Sequence, residues 1–112
     1  MAELLGFERY MASLIVVSGE GEGEEHQVER PRWLLGRGPG VDAAFDDPEM
    51  SRQHIAIEFV SGRFRATDLD SGSGTEVNGE AVSACDLCHG DRIRIGGRVF
   101  QILIERTDAI PA

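Results

Sequence analysis

A chain of 112 residues, 41% of them hydrophobic, is long enough for one domain with a core of its own. No apolar run approaches the roughly 18 residues of a membrane-spanning helix. A net charge of −9 argues against general nucleic-acid binding and against attraction to anionic membranes, both of which need phosphate to be neutralised.

Residues 1–12 read as an N-terminal extension, within which 1–10 (MAELLGFERY) are either a short helix or disordered. Glu3 and Glu8 come ahead of the apolar run that follows, which argues against a signal peptide and for a cytoplasmic protein. Residues 13–17 (SLIVV) read as a first strand and 19–25 (GEGEGEE) as a solvated acidic tip between strands. Residues 26–37 alternate loosely, with Pro31 pointing to a sheet edge. After a short strand at 41–45 and a turn at 46–51, residues 54–60 alternate, with Ile55, Ile57 and Phe59 on one face. Residues 63–69 alternate again, 70–74 (DSGSG) form a loop, and 75–82 carry Asn78-Gly79, a strong hairpin signal. Residues 92–104 read as two strands joined by a Gly-Gly turn, and 106–112 as a C-terminal tail. Short strands with a turn every 8–12 residues predict an all-β sandwich or barrel.

Three loops carry the chemistry. Residues 34–38 bring Arg37, residues 51–54 bring Ser51 and Arg52, and residues 68–79 bring Ser73 with glycine-rich backbone. All three lie at strand ends, and loops at one end of a sandwich cluster in space. Forked guanidinium donors, hydroxyls and turn amides together suit an anion with several oxygens. All 11 basic residues are arginine, the side chain whose planar fork fits phosphate. Such a site works inside an acidic chain because charges beyond about 8 Å are screened.

The ordered set Gly36-Arg37, Ser51-Arg52-Gln53-His54, Asp68 to Gly79 and Gly90-Asp91 resembles the forkhead-associated (FHA) domain family over residues 13–105. The resemblance implies a β-sandwich of two twisted sheets with about eleven short strands. It implies a non-catalytic module that binds phosphothreonine in a partner protein, within bacterial Ser/Thr-kinase signalling and without a cofactor. Carried over by residue, Arg37 contacts the phosphate, Ser51 hydrogen-bonds it, and Arg52 contacts phosphate or peptide. Ser73, Gly74 and Thr75 occupy the peptide-facing run. Gly36, His54, Asn78 and Gly79 support the loops. Ser73 stands where the family has an asparagine that hydrogen-bonds the ligand main chain, and it offers only one short hydroxyl. Glu49, two residues before Ser51, is implied to influence selection at the third position after phosphothreonine and to disfavour acids there. The alternative is a phosphate-independent interaction or assembly domain on the same fold. A monomer is expected, with head-to-tail self-association through phosphorylated Thr107, followed at the third position by Ile110, as an additional option.

The stretch Cys85-Asp-Leu-Cys88-His89 matches the C-x-x-C-H string of haem attachment. No export signal accompanies it and a small sandwich has little room for haem. As a zinc site it would crowd three ligands into five residues without the usual distant pair. No helix N-terminus is apparent to activate a thiolate. The cysteines therefore read as reduced, semi-buried residues in the connection before the last hairpin, and no metal is expected. Ser51 and His54, three residues apart, do not make a hydrolase pair, since no nucleophile elbow or orienting acid accompanies them.

Overall fold

A computed structural model describes residues 6–107. Eleven strands form two sheets. A six-stranded sheet runs β2-β1-β11-β10-β7-β8 and a five-stranded sheet runs β4-β3-β5-β6-β9. In chain order the strands are β1 (Tyr10–Ser18), β2 (Glu25–Gln27), β3 (Arg32–Gly36), β4 (Ala43–Ala44), β5 (Ile55–Val60), β6 (Arg63–Asp68), β7 (Glu76–Val77), β8 (Glu80–Ala81), β9 (Ala84–Leu87), β10 (Arg92–Ile95) and β11 (Arg98–Arg106). The predicted all-β sandwich is the observed architecture.

Period-two alternation builds the core. Leu14 and Val16 from β1 and Phe100 and Ile102 from β11 face Leu35, Ile55, Ile57 and Phe59 from the other sheet, all buried. The pairings are antiparallel except that of β3 with β4, where Leu35 stands beside Ala43. That parallel pair turns the chain so that residues 45–54 return across the end of the sandwich.

Two expectations are corrected. β1 begins at Tyr10, three residues earlier than the pattern suggested, so residues 6–12 are built into the sandwich instead of preceding it. The cause is aromatic packing. Phe7, in a 3-10 turn, and Tyr10 meet Phe59 at ring distances of 5.7 and 5.4 Å and close the pole away from the three loops. Cys85, read as part of the connection before the last hairpin, lies in an edge strand, Ala84–Leu87, on β6, which pairs Phe64 with Leu87 and Ala66 with Cys85. Leu87 is the strand's one buried residue, so its alternation is too weak to see in the sequence. Among the described residues no helix is long and apolar enough to cross a membrane.

Candidate functional site

The 36–42, 46–54 and 69–75 loops meet at one pole of the sandwich, and His54 ties them together. Its ring is fully buried. The Ser51 N–H donates to Nδ1 at 3.0 Å, so Nδ1 carries no proton and Nε2–H donates to the Gly74 carbonyl at 2.8 Å. The main chain of His54 also bonds to Leu35 on one side and Leu69 on the other. One side chain thus fixes the spacing between the Ser51 loop and the Gly74 loop. Both ring nitrogens are occupied in doing so, so neither is placed to take a proton from the Ser51 hydroxyl.

Asp68 organises the second loop. Its carboxylate accepts from the Thr75 hydroxyl at 2.7 Å, from the Ser71 N–H at 3.0 Å and from the Ser71 hydroxyl. Burial pushes its pKa upward, but the Ser71 and Thr75 hydroxyls and the Ser71 N–H outweigh burial and hold it below the ordinary 3.8. A carboxylate lowered on folding stabilises the fold above its unfolded pKa and loses that contribution as pH falls through its folded value. Acid titration should therefore loosen this loop from about pH 3.8 downward, with Asp68→Asn removing that part of the pH dependence. Urea midpoints measured between neutral pH and pH 3 would check it. A parallel pH profile for wild type and variant would contradict it.

The first loop is held by backbone contact. The Arg37 and Gly38 N–H groups donate to the Ser51 and Arg52 carbonyls at 2.9 and 3.1 Å. The approach is so close that a Cβ on Gly36 would lie 2.2 Å from the Arg52 carbonyl oxygen, which explains glycine there. Arg37 Nε donates to the Met50 carbonyl at 3.0 Å, which orients the guanidinium across the pole. Its terminal amines have no acceptor among the described residues, and neither does the exposed Arg52 guanidinium. Ser51 Oγ accepts the Gly72 N–H at 3.0 Å and its own proton is left to donate outward. Three donor groups thus stand at one pole without protein acceptors, an arrangement suited to a multi-oxygen anion.

The remaining predicted residues divide. Ser73 is exposed and its hydroxyl donates to the Glu49 carbonyl, bridging two loops. Glu49 lies on the rim, its N–H donating to Asp47 at 2.9 Å and its side chain against the Gly96 turn. Gly74 and Thr75, grouped with the peptide-facing residues from the sequence, turn inward. Thr75 is buried against Asp68, and both polar groups of Gly74 are engaged, the N–H to Ser71 and the carbonyl to His54. Asn78 and Gly79 make the β7–β8 turn with positive φ at both, and Asn78 accepts the Arg92 N–H at 3.0 Å, pinning that turn to β10.

Sequence reasoning missed Arg98. It is 6% exposed, pairs with Asp47 at 2.6 Å, donates to the Glu20 carbonyl at 2.8 Å and lies over the Phe45 ring. Through Asp47 it steadies the 46–51 loop. Nothing local distinguishes it from the exposed arginines nearby. At the C-x-x-C-H stretch, His89 Nδ1 accepts the Ile104 N–H at 2.9 Å, a stitch between the 88–91 turn and β11. Burial, then the carboxylates of Asp91 and Asp86, raise the Cys85 thiol pKa, the reverse of an activated thiolate.

Comparison with known proteins bears on the family and the fold. The model of the FHA domain matches residues 33–96, from β3 through the β10–β11 turn. Glycogen accumulation regulator GarA of Mycolicibacterium smegmatis is 35% identical over 85 residues, covering 76% of this chain and 54% of its own length. An oxoglutarate dehydrogenase inhibitor of Corynebacterium glutamicum is 35% identical over 76% of this chain and 59% of its own. The chain therefore spans little more than half the length of these relatives. A solved structure from work on phosphothreonine-dependent FHA domain interactions superposes with a TM-score of 0.75 at 28% identity, covering 83% of this chain and 95% of that one. The ordered loop motifs, the eleven-stranded sandwich that brings them to one pole and the family match across both sheets have a common reading: this chain belongs to the FHA domain family.

Proposed function

We propose that this chain is a phosphothreonine-dependent interaction module of Ser/Thr-kinase signalling, bacterial and cytoplasmic, that recognises a phosphorylated partner protein and catalyses nothing. One observation carries the reading. The Arg37 amines, the Arg52 guanidinium and the Ser51 hydroxyl lie at one pole with no acceptor among the described residues, on loops already locked by His54 and Asp68. Because the loops are bonded to each other, little ordering remains to oppose binding. Two or three charge-assisted bonds of about 1.5–3 kcal/mol each, with peptide contacts around them, are compatible with micromolar affinity.

Gly36, His54, Asn78 and Gly79 act in this reading as loop support, and Gly74 and Thr75 join them. Glu49 disfavours acidic side chains at the third position after phosphothreonine. A phosphorylated Thr107 would reach only another copy's site, because Thr107 sits at the far pole with its N–H bonded to the Arg9 carbonyl at 2.7 Å.

Ser73 favours a second reading, a phosphate-independent assembly domain. Its only hydroxyl proton is used on the Glu49 carbonyl, so a peptide can obtain from it an acceptor and no donor. Fluorescence polarisation against a degenerate phosphothreonine library, with phosphoserine and unphosphorylated libraries alongside, separates the two. Micromolar binding to phosphothreonine alone is expected, with peptides acidic at the third position depleted. Equal binding of phosphorylated and unphosphorylated libraries would establish the second reading instead.

A further inference from the structure

The two outer faces of the sandwich differ in how their charges are met. On the five-stranded sheet Arg32 pairs with Glu58, Arg30 with Asp42, and Arg63 and Arg65 with Asp86. On the six-stranded sheet the register lays out Glu25, Ile15, Gln101 and Arg92 as one row across β2, β1, β11 and β10. The adjacent row toward the loop pole carries Ser18, Val99 and Arg94, with the acidic 19–24 tip beyond Ser18. Half-buried Ile15, Val17, Val99 and Leu103, with Met11 at 53% exposure, form an apolar stripe down the middle. Arg92 and Arg94 flank the stripe on one side, and Glu25 and the acidic tip flank it on the other. Neither guanidinium makes an ion pair or hydrogen bond among the described residues, although Glu76 stands opposite Arg94.

We propose that this face is the contact between two copies of the chain, stacked sheet on sheet about a two-fold axis that runs along the strands between β1 and β11. The charge order argues for a second copy over an unrelated protein. Such a rotation reverses the order of the strands and keeps every residue in its own row. Arg92 of one copy then faces Glu25 of the other, Ile15 faces Gln101, and Arg94 faces the acidic tip. The contact is self-complementary, as a two-fold interface must be, and near-parallel strand directions suit aligned sheet packing at about 30°. Because the axis runs along the strands, both three-loop poles end on the same side of the pair. Under the phosphothreonine reading the pair is a bivalent reader, whose two sites add avidity on a doubly phosphorylated target. The pairing itself does not depend on that reading.

Sedimentation velocity on the full chain tests it, at concentrations up to about 1 mM, the range of a weak complex. Wild type should sediment at twice the monomer mass and dissociate as salt screens the flanking charges. Arg92→Glu and Glu25→Arg, both at exposed positions, should each give a folded monomer by circular dichroism, since each sets like charges together twice. The combined exchange, Glu25→Arg with Arg92→Glu, should restore the dimer. A wild-type monomer throughout would overturn the proposal and leave the face to a different protein. Single variants that dimerise like wild type, or a folded exchange variant that stays monomeric, would overturn it equally.

Discussion

Arg37→Ala is expected to weaken phosphothreonine-peptide binding by about 10- to 150-fold, the range that one charge-assisted bond of about 1.5–3 kcal/mol represents. The loss should be selective. Arg37 is exposed and, among the described residues, the one bond its side chain makes is Nε to the Met50 carbonyl, which water can replace, so the urea midpoint should hardly move. Arg37→Lys should recover part of the affinity, because a point charge remains while the planar fork is lost. Polarisation titrations of the three proteins against one phosphopeptide check this. An alanine variant that binds like wild type would mean that the phosphate, if read at all, is read elsewhere.

Arg98→Met is expected to act on stability, by about 3–5 kcal/mol, the cost of stranding a largely buried charge. Asp47 would lose its partner at 2.6 Å while remaining 12% exposed. The same carboxylate holds the Glu49 N–H at 2.9 Å, so the rim beside Ser51 should loosen too and peptide affinity should fall with stability. Changing Asp47 to Asn in the same chain should recover part of the loss, since an amide is easier to bury unpaired than a carboxylate. Urea unfolding of both single variants and the double variant gives the coupling energy directly. Additive losses would show that the pair does not act as a unit.

These two arginines also mark what the sequence discloses and what it conceals. Arg37 is legible because it follows a glycine at a strand end, in a fixed order with Ser51 and His54. β5 and β6 are legible because one face of each is buried without interruption at Ile55, Ile57, Phe59, Phe64 and Ala66. Arg98 is concealed because its partners stand 51 and 78 residues earlier, and no local pattern encodes that meeting. β9 is concealed because an edge strand needs only Leu87 inside. Thr75 sits in the same run as Ser73, and only the course of the backbone separates the hydroxyl that turns toward Asp68 from the one that bridges to Glu49.

The first and last strands are neighbours. β1 and β11 pair from Tyr10 with Arg106 up to the irregularity at Val16 and Ser18, and the Thr107 N–H closes that pairing on the Arg9 carbonyl. Tension applied through the two chain ends would therefore pull on a single rung at a time, as on a zipper, and would not load the whole ladder in shear. Opening those rungs would lift β2 away with β1 and bare Leu14, Val16, Phe100 and Ile102, one wall of the core. The domain should accordingly be mechanically soft when stretched between its ends. The force would enter at the aromatic pole and reach the ligand loops last.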